Sequence, residues 1–225
     1  MIEVKRCDGI IIMAIDKIVC VGKNYLEHAI ELGDAIPEKP VLFLKPASVL
    51  RQAQHWQEHL NLILPHDSSV QPECEIALQV AHDGYKISHE VAKNAINAVT
   101  LGLDMTLRSH QTELKKKGHP WTTAKVFPDA AVLGPWIPYT SFKNYLDSEF
   151  HLDIDGHIAQ QAKGSQMRMS PQELLVYISQ FFPLKAGDII FTGTPAGVSS
   201  VSSKTTAKLC WQEKSVTINW RSEVN

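Results

Sequence analysis

The sequence predicts an α+β fold in which β-structure dominates. Three observations carry this. Apolar runs are short and closed by Gly or Pro, several of them alternate with polar residues, and helical patterns are few and scattered. Strands and helices also lack the regular alternation that a doubly wound parallel sheet requires.

Taken in chain order, "KIVCVG" (17–22) reads as an apolar strand ending at Gly22. "NYLEHAIEL" (24–32) has helical spacing and stops at Gly33. "VLFLKP" (41–46) and "LNLILP" (60–65) are strands closed by proline. "PECEIALQV" continues as a strand over 73–81. "SHEVAKNAI" (88–96) predicts a helix capped by Ser88. "AVTLGLDMT" (98–106) alternates as a strand, and "LRSHQTELKKK" (107–117) predicts a helix whose Lys115–Lys117 end is solvated and suits the C-terminal dipole. "FHLDIDGHIAQ" is a hairpin turning at Asp155-Gly156. "SPQELLVYISQFF" (170–182) is the clearest helix, with Ser170 as cap, Pro171 in the first turn and Glu173 at the capping-box position. "GDIIFTGTPAGV" (187–198) is a strand entering a Gly/Pro loop, and "AKLCWQEKSVTINW" is a second hairpin.

The 225 residues show no repeat, low-complexity tract or linker, so a single domain over 1–225 is expected. A net charge of −2, evenly spread, gives no footprint for nucleic acid or an anionic membrane. No apolar run approaches the ~20 residues that span a bilayer. The charged start "MIEVKRCDG" does not resemble an export signal, and a cytoplasmic protein is expected. The cysteines Cys7, Cys20, Cys74 and Cys210 have no zinc-site spacing; Cys20 and Cys74 fall at positions expected to be buried.

The chemistry starts in "PECEIALQV". A strand places Cys74, Ile76, Leu78 and Val80 on one face and Glu73, Glu75, Ala77 and Gln79 on the other. Two carboxylates then lie about 7 Å apart on one side. Asp104 occupies the polar face of the 98–106 strand, beside Gly102, which is expected to leave open space. If the two strands are neighbours, three acids converge, and a divalent cation would relieve their repulsion. All-oxygen donors suit a hard ion: Mg²⁺, with Mn²⁺ or Ca²⁺ as alternatives. His28 and Glu31, three apart on a helix, share a face. Arg108, four residues after Asp104, could pair with it or face a substrate.

Together, "IVCVGKNYLEHAIELG", "PEKPVLFLKP", "ECEIALQV", "GLDMTLRSHQ", "GHPWTTAKVF", "LGPW" and "AGDIIFTGTPAGV" resemble the fumarylacetoacetate hydrolase family, in its short single-domain branch. That branch includes acylpyruvases, oxaloacetate decarboxylases or tautomerases, and hydroxymuconate-type isomerases. The resemblance implies a mixed β-roll with a few peripheral helices, usually a homodimer. It implies Glu73, Glu75 and Asp104 as ligands of Mg²⁺ or Mn²⁺. It places Arg108 and Gln111 against the substrate, Lys125 in the active site, and Thr194 at the substrate carboxylate. It makes His28 and Glu31 a dyad on a mobile lid. Departures occur at Lys23, Ser109, Val126-Phe127-Pro128-Asp129 and the segment after Val198.

A 2-oxo acid bound at such a centre can form an enolate. With His28 activating water, the expectation is C–C bond hydrolysis in acylpyruvate-type 2,4-dioxo acids such as fumarylpyruvate or acetylpyruvate, leaving pyruvate enolate at the metal. Oxaloacetate tautomerisation or decarboxylation, or hydroxymuconate-type isomerisation, is the alternative on the same site. A non-catalytic binding protein that keeps the fold is a minor alternative.

Overall fold

The computed structural model describes residues 6–7, 10–11, 14–31, 38–65, 69–139 and 146–222. A short ladder pairs β1 (Arg6–Cys7) with β2 (Ile10–Ile11). The remaining strands form two curled sheets. The larger contains β3 (Lys17–Gly22), β4 (Val41–Pro46), β5 (Leu50–Gln52), β7 (Val70–Val80), β8 (Ile96–Leu107), β9 (Ala131–Leu133), β10 (Ile137–Pro138) and β13 (Ile189–Phe191). Its order is β4-β3-β13-β7-β8-β9-β5, with β10 also on β8. The smaller is β12-β11-β14-β15-β6, built from β6 (His59–Leu64), β11 (Glu149–Ile154), β12 (His157–Lys163), β14 (Thr206–Trp211) and β15 (Lys214–Ser222). Both are mixed: β13 runs parallel to β3, β5 to β9, and β15 to β6. The fold is therefore mainly β, as the sequence predicts.

Among the described residues five short α-helices lie outside the sheets: α1 (Leu26–Glu31), α2 (His89–Ala92), α3 (Arg108–Lys117), α4 (Thr122–Lys125) and α5 (Pro171–Ser179). Among the described residues none is long and apolar enough to cross a membrane. Ser170 and Glu173 form the expected capping box on α5. Ser88 caps α2 as expected, but the helix ends at Ala92 rather than 96, because Ile96 joins β8. Leu32 and Gly33, expected to finish α1, lie outside the described residues.

The two faces of β7 explain the architecture. Cys74, Ile76, Leu78 and Val80 point into the main core with Val99, Leu101 and Leu103 of β8 and Phe150, Leu152, Trp211 and Ile218 of the smaller sheet. The opposite face is also buried. There Ala77 packs in a second cluster with Ile18, Cys20, Leu133 and Phe191. Glu73 and Glu75 share that face, so the carboxylates stand in the interior and not on a solvated edge.

Gly102 departs from its expected role. A Cβ there would meet Val132 O at 2.5 Å, Phe191 Cε1 at 2.7 Å and Leu133 Cδ2 at 2.9 Å. The space beside the acids is filled by the Phe191 ring and the β9 backbone. Asp129, at φ 58°, accepts from Arg51 Nε at 3.2 Å and from the Ile63 N–H at 3.0 Å. It thereby joins the turn after α4 to an edge strand of each sheet. Gly102→Ala is expected to destabilise the protein by about 1–3 kcal/mol through overpacking, with an unchanged denaturant slope in urea unfolding.

Candidate active site

The antiparallel register of β7 and β8 sets Glu73 opposite Asp104 and Glu75 opposite Gly102. The three carboxylates converge, with one oxygen of each within 4.8 Å of the others, and all three are buried. Side-chain cations meet them. Lys125, at the end of α4, donates to Glu73 Oε2 at 2.9 Å, Asp104 Oδ2 at 2.7 Å and Thr106 Oγ1 at 2.6 Å. Arg108 pairs with Glu73 Oε1 and donates to Gln71 Oε1 and Gln111 Oε1, each at 2.6 Å. The expected Arg108–Asp104 alternative does not occur, because the intervening residues are strand and the four-residue spacing gives no shared helical face.

Lys45 completes the set, and sequence reasoning missed it. It is fully buried, its Nζ lies 2.5 Å from Asp104 Oδ1, and it donates to Met105 O at 3.0 Å and Ala130 O at 2.5 Å. The available signal was strand alternation, which places Lys45 on the same side of β4 as Phe43, a cavity-lining residue. A buried lysine on that face needs anionic partners. Side chains thus relieve the repulsion at Glu73 and Asp104, while Glu75 still feels the charge of both neighbours.

The electrostatics divide the acids. Burial would raise the Glu73 carboxyl, but Lys125 and Arg108 overcome it and hold the group well below the usual range. Burial, then the charges of Asp104 and Glu73, push Glu75 well above its ordinary value. Burial would likewise lower Lys125, but Asp104 and Glu73 hold its ammonium above the usual lysine range. Among the described residues Glu75 makes no ion pair; its Oε2 accepts the Gly193 N–H at 2.7 Å. Only glycine serves at 193, where φ is 103° and a Cβ would lie 2.9 Å from Asn24 Cβ. The close approach of Asp104 Oδ1 to Lys45 lacks hydrogen-bond alignment, so that buried oxygen has no hydrogen-bond partner. An oxygen-only trio, one acid without a cation and one oxygen unsatisfied, fits a hard divalent ion.

Of the residues implied by the resemblance, His28, Arg108, Gln111, Lys125 and Thr194 line one cavity with the three acids. Free space within it is about 40 Å³. His28 Nδ1 lies 3.1 Å from Glu31 Oε2, and Glu31 Oε1 accepts from the Gly197 N–H at 3.0 Å. Glu31 stands behind His28 and ties α1 to the loop after β13. Thr194 Oγ1 donates to Cys74 O at 2.9 Å and receives Gln160 Nε2 at 2.8 Å. Lys115 is not simply a solvated helix end: it lines the cavity, with Nζ 5.1 Å from the centre of the Trp121 ring.

A buried acidic trio, a carboxylate-oriented histidine and a buried lysine at one cavity in a mixed β-roll mark an enzyme site. The fumarylacetoacetate hydrolase C-terminal domain matches residues 17–224, and the chain belongs to that family. It is 38% identical over 188 residues to the mitochondrial oxaloacetate tautomerase of Caenorhabditis elegans, covering 83% of this chain and 86% of that protein. It is 37% identical over 191 residues to an oxaloacetate tautomerase of Escherichia coli, covering 84% and 85%. The crystal structure of fumarylpyruvate hydrolase from Pseudomonas aeruginosa with Mn²⁺ and pyruvate superposes with a TM-score of 0.85 at 31% identity, covering 92% and 91%.

Lys45→Met leaves Asp104 without one of its two buried cations. The expected loss is about 3–5 kcal/mol of stability in urea unfolding. Asp104→Asn on the Lys45→Met background should cost less than the sum of the single changes.

Proposed function

We propose that the protein is a divalent-metal-dependent enzyme that moves a proton at C3 of a 2-oxo acid, and that oxaloacetate keto–enol conversion is its reaction. The observation that carries this reading is His28, held by Glu31, on the wall of the cavity that contains the acidic trio. The two oxaloacetate tautomerases described above support the choice of substrate.

Glu73, Glu75 and Asp104 would hold the ion, Mg²⁺ by our reading of the all-oxygen donor set, although the related hydrolase was crystallised with Mn²⁺. When bound, the ion supplies Lewis acidity that polarises the 2-oxo group. Proton transfer falls to His28. With its Nδ1 proton directed to Glu31, Nε2 is left as the base. It takes the C3 proton, the C–H electron pair forms the C2–C3 double bond, and the proton is returned to the 2-oxo oxygen. Negative charge develops on that oxygen, and the Lys125 ammonium, 4.8 Å from the Phe43 ring centre, stabilises it. Arg108 and Gln111 orient the substrate, and the Thr194 hydroxyl meets the carboxylate next to the keto group by turning its proton away from Cys74 O.

Hydrolysis of acylpyruvate-type 2,4-dioxo acids is the second reading, favoured by the likeness to fumarylpyruvate hydrolase. There His28 would activate water for attack on the distal carbonyl. We also propose a homodimer. β4 ends the larger sheet, exposes Leu44 and borders a groove lined by Phe43, Pro120, Trp121 and Val126, a surface that calls for cover. Light scattering should give twice the chain mass.

A panel of oxaloacetate, acetylpyruvate and fumarylpyruvate, with Mg²⁺ and with chelator, decides between the readings. Metal-dependent enol formation from oxaloacetate is expected. C–C cleavage of the dioxo acids without action on oxaloacetate would replace the first reading with the second. His28→Ala is expected to lower kcat by about 10²–10⁴-fold while calorimetric Mg²⁺ affinity holds. An unaltered kcat removes His28 as the base.

A further inference from the structure

Two lysines on the cavity wall have no part in this scheme. Lys23 and Lys115 line it together with the trio and Arg108. Lys23 has a left-handed backbone, φ 65°. That conformation is costly for a residue with a long side chain and far cheaper for glycine or asparagine. The surroundings impose it. Buried Asn24 donates through Nδ2 to Thr192 O at 2.9 Å and Met169 O at 3.2 Å, and its Oδ1 accepts the Met169 N–H at 2.9 Å. Arg168 donates to Lys23 O at 3.3 Å. A strained residue, fixed from outside and lining a cavity, points to function.

Lys115 lies in the last turn of α3, over Trp121. Trp121 packs on Phe43 with ring centres 6.0 Å apart, and Phe43 in turn faces the Lys125 ammonium. An aromatic pair therefore connects Lys115 to Lys125. The inner acids are already engaged by cations: Glu73 by Lys125 and Arg108, Asp104 by Lys45 and Lys125. A substrate whose 2-oxo acid end reaches the trio carries its other end toward the rim.

We infer that Lys23 and Lys115 form a cationic rim that receives the substrate carboxylate remote from the 2-oxo group, and so select dicarboxylic over monocarboxylic 2-oxo acids. The inference rests on the 2-oxo acid reading above, and assigns the part of specificity that the inner site leaves open. Positive charge at a partly exposed rim favours the doubly charged ligand without altering contacts at the reacting atoms.

The test uses Mn²⁺-loaded protein and calorimetric binding of three probes. Pyruvate reports the inner site. Oxaloacetate and 2-oxobutanoate, which has a methyl group in place of the remote carboxylate, report the rim. The ratio of oxaloacetate to 2-oxobutanoate affinity should fall about tenfold in Lys115→Met, as expected for loss of one charge-assisted hydrogen bond, and recover in Lys115→Arg. Lys23→Gly should also lower the ratio although it relieves backbone strain and raises the unfolding midpoint; a purely structural lysine would give the higher midpoint with no change in selectivity. An unchanged ratio in both Lys115→Met and Lys23→Gly, with pyruvate still bound, overturns the rim and leaves the 2-oxo acid reading in place. Failure of pyruvate to bind the wild-type protein removes that reading and the rim with it.

Discussion

The pairing of β7 with β8 is the constraint on which the site depends. Their register fixes Glu73 against Asp104 in the interior of a sheet covered on both faces. A shift by one residue would turn every carboxylate into the main core and every core side chain toward the cavity. Burial makes the acids expensive, so the surrounding structure brings Lys45 from β4, Arg108 from the start of α3 and Lys125 from α4. Elements far apart in sequence are thus recruited to one point by charge, while the apolar side of the same two strands organises the core.

Much of this was legible in the sequence because it follows from local periodicity. Alternation in "PECEIALQV" and "AVTLGLDMT" placed Glu73, Glu75 and Asp104 on polar faces, and Asp155-Gly156 and Ser170-Pro171 marked a turn and a cap correctly. What alternation does not reveal is whether a polar face is wet. The acids were placed correctly by face, but the buried Lys45 beside Asp104 was missed, since it comes from a strand whose position in the sheet no local pattern shows. Gly102 was misread for a related reason: its neighbours, Phe191 and the β9 backbone, are contributed by distant segments.

The trio carries internal contrast. Glu73 is held ionised by two cations, whereas Glu75 has one backbone donor and is pushed the other way by burial and by its acidic neighbours. Chemically similar side chains two residues apart therefore offer different affinities for a proton or an ion. Asp104 Oδ1 has the Lys45 ammonium 2.5 Å away but accepts no aligned hydrogen bond. An incoming hard cation would gain most from these two groups, while Glu73 and its cations keep the geometry fixed.

Asp129 gives the site a mechanical dimension. It holds Arg51 in the larger sheet and the Ile63 amide in the smaller one, four residues after Lys125. Any slippage of one layer against the other is transmitted through this short stretch of chain to the Lys125 ammonium. Loosening along that seam would misplace the ammonium before any strand melted, so loss of activity on warming should precede loss of secondary structure.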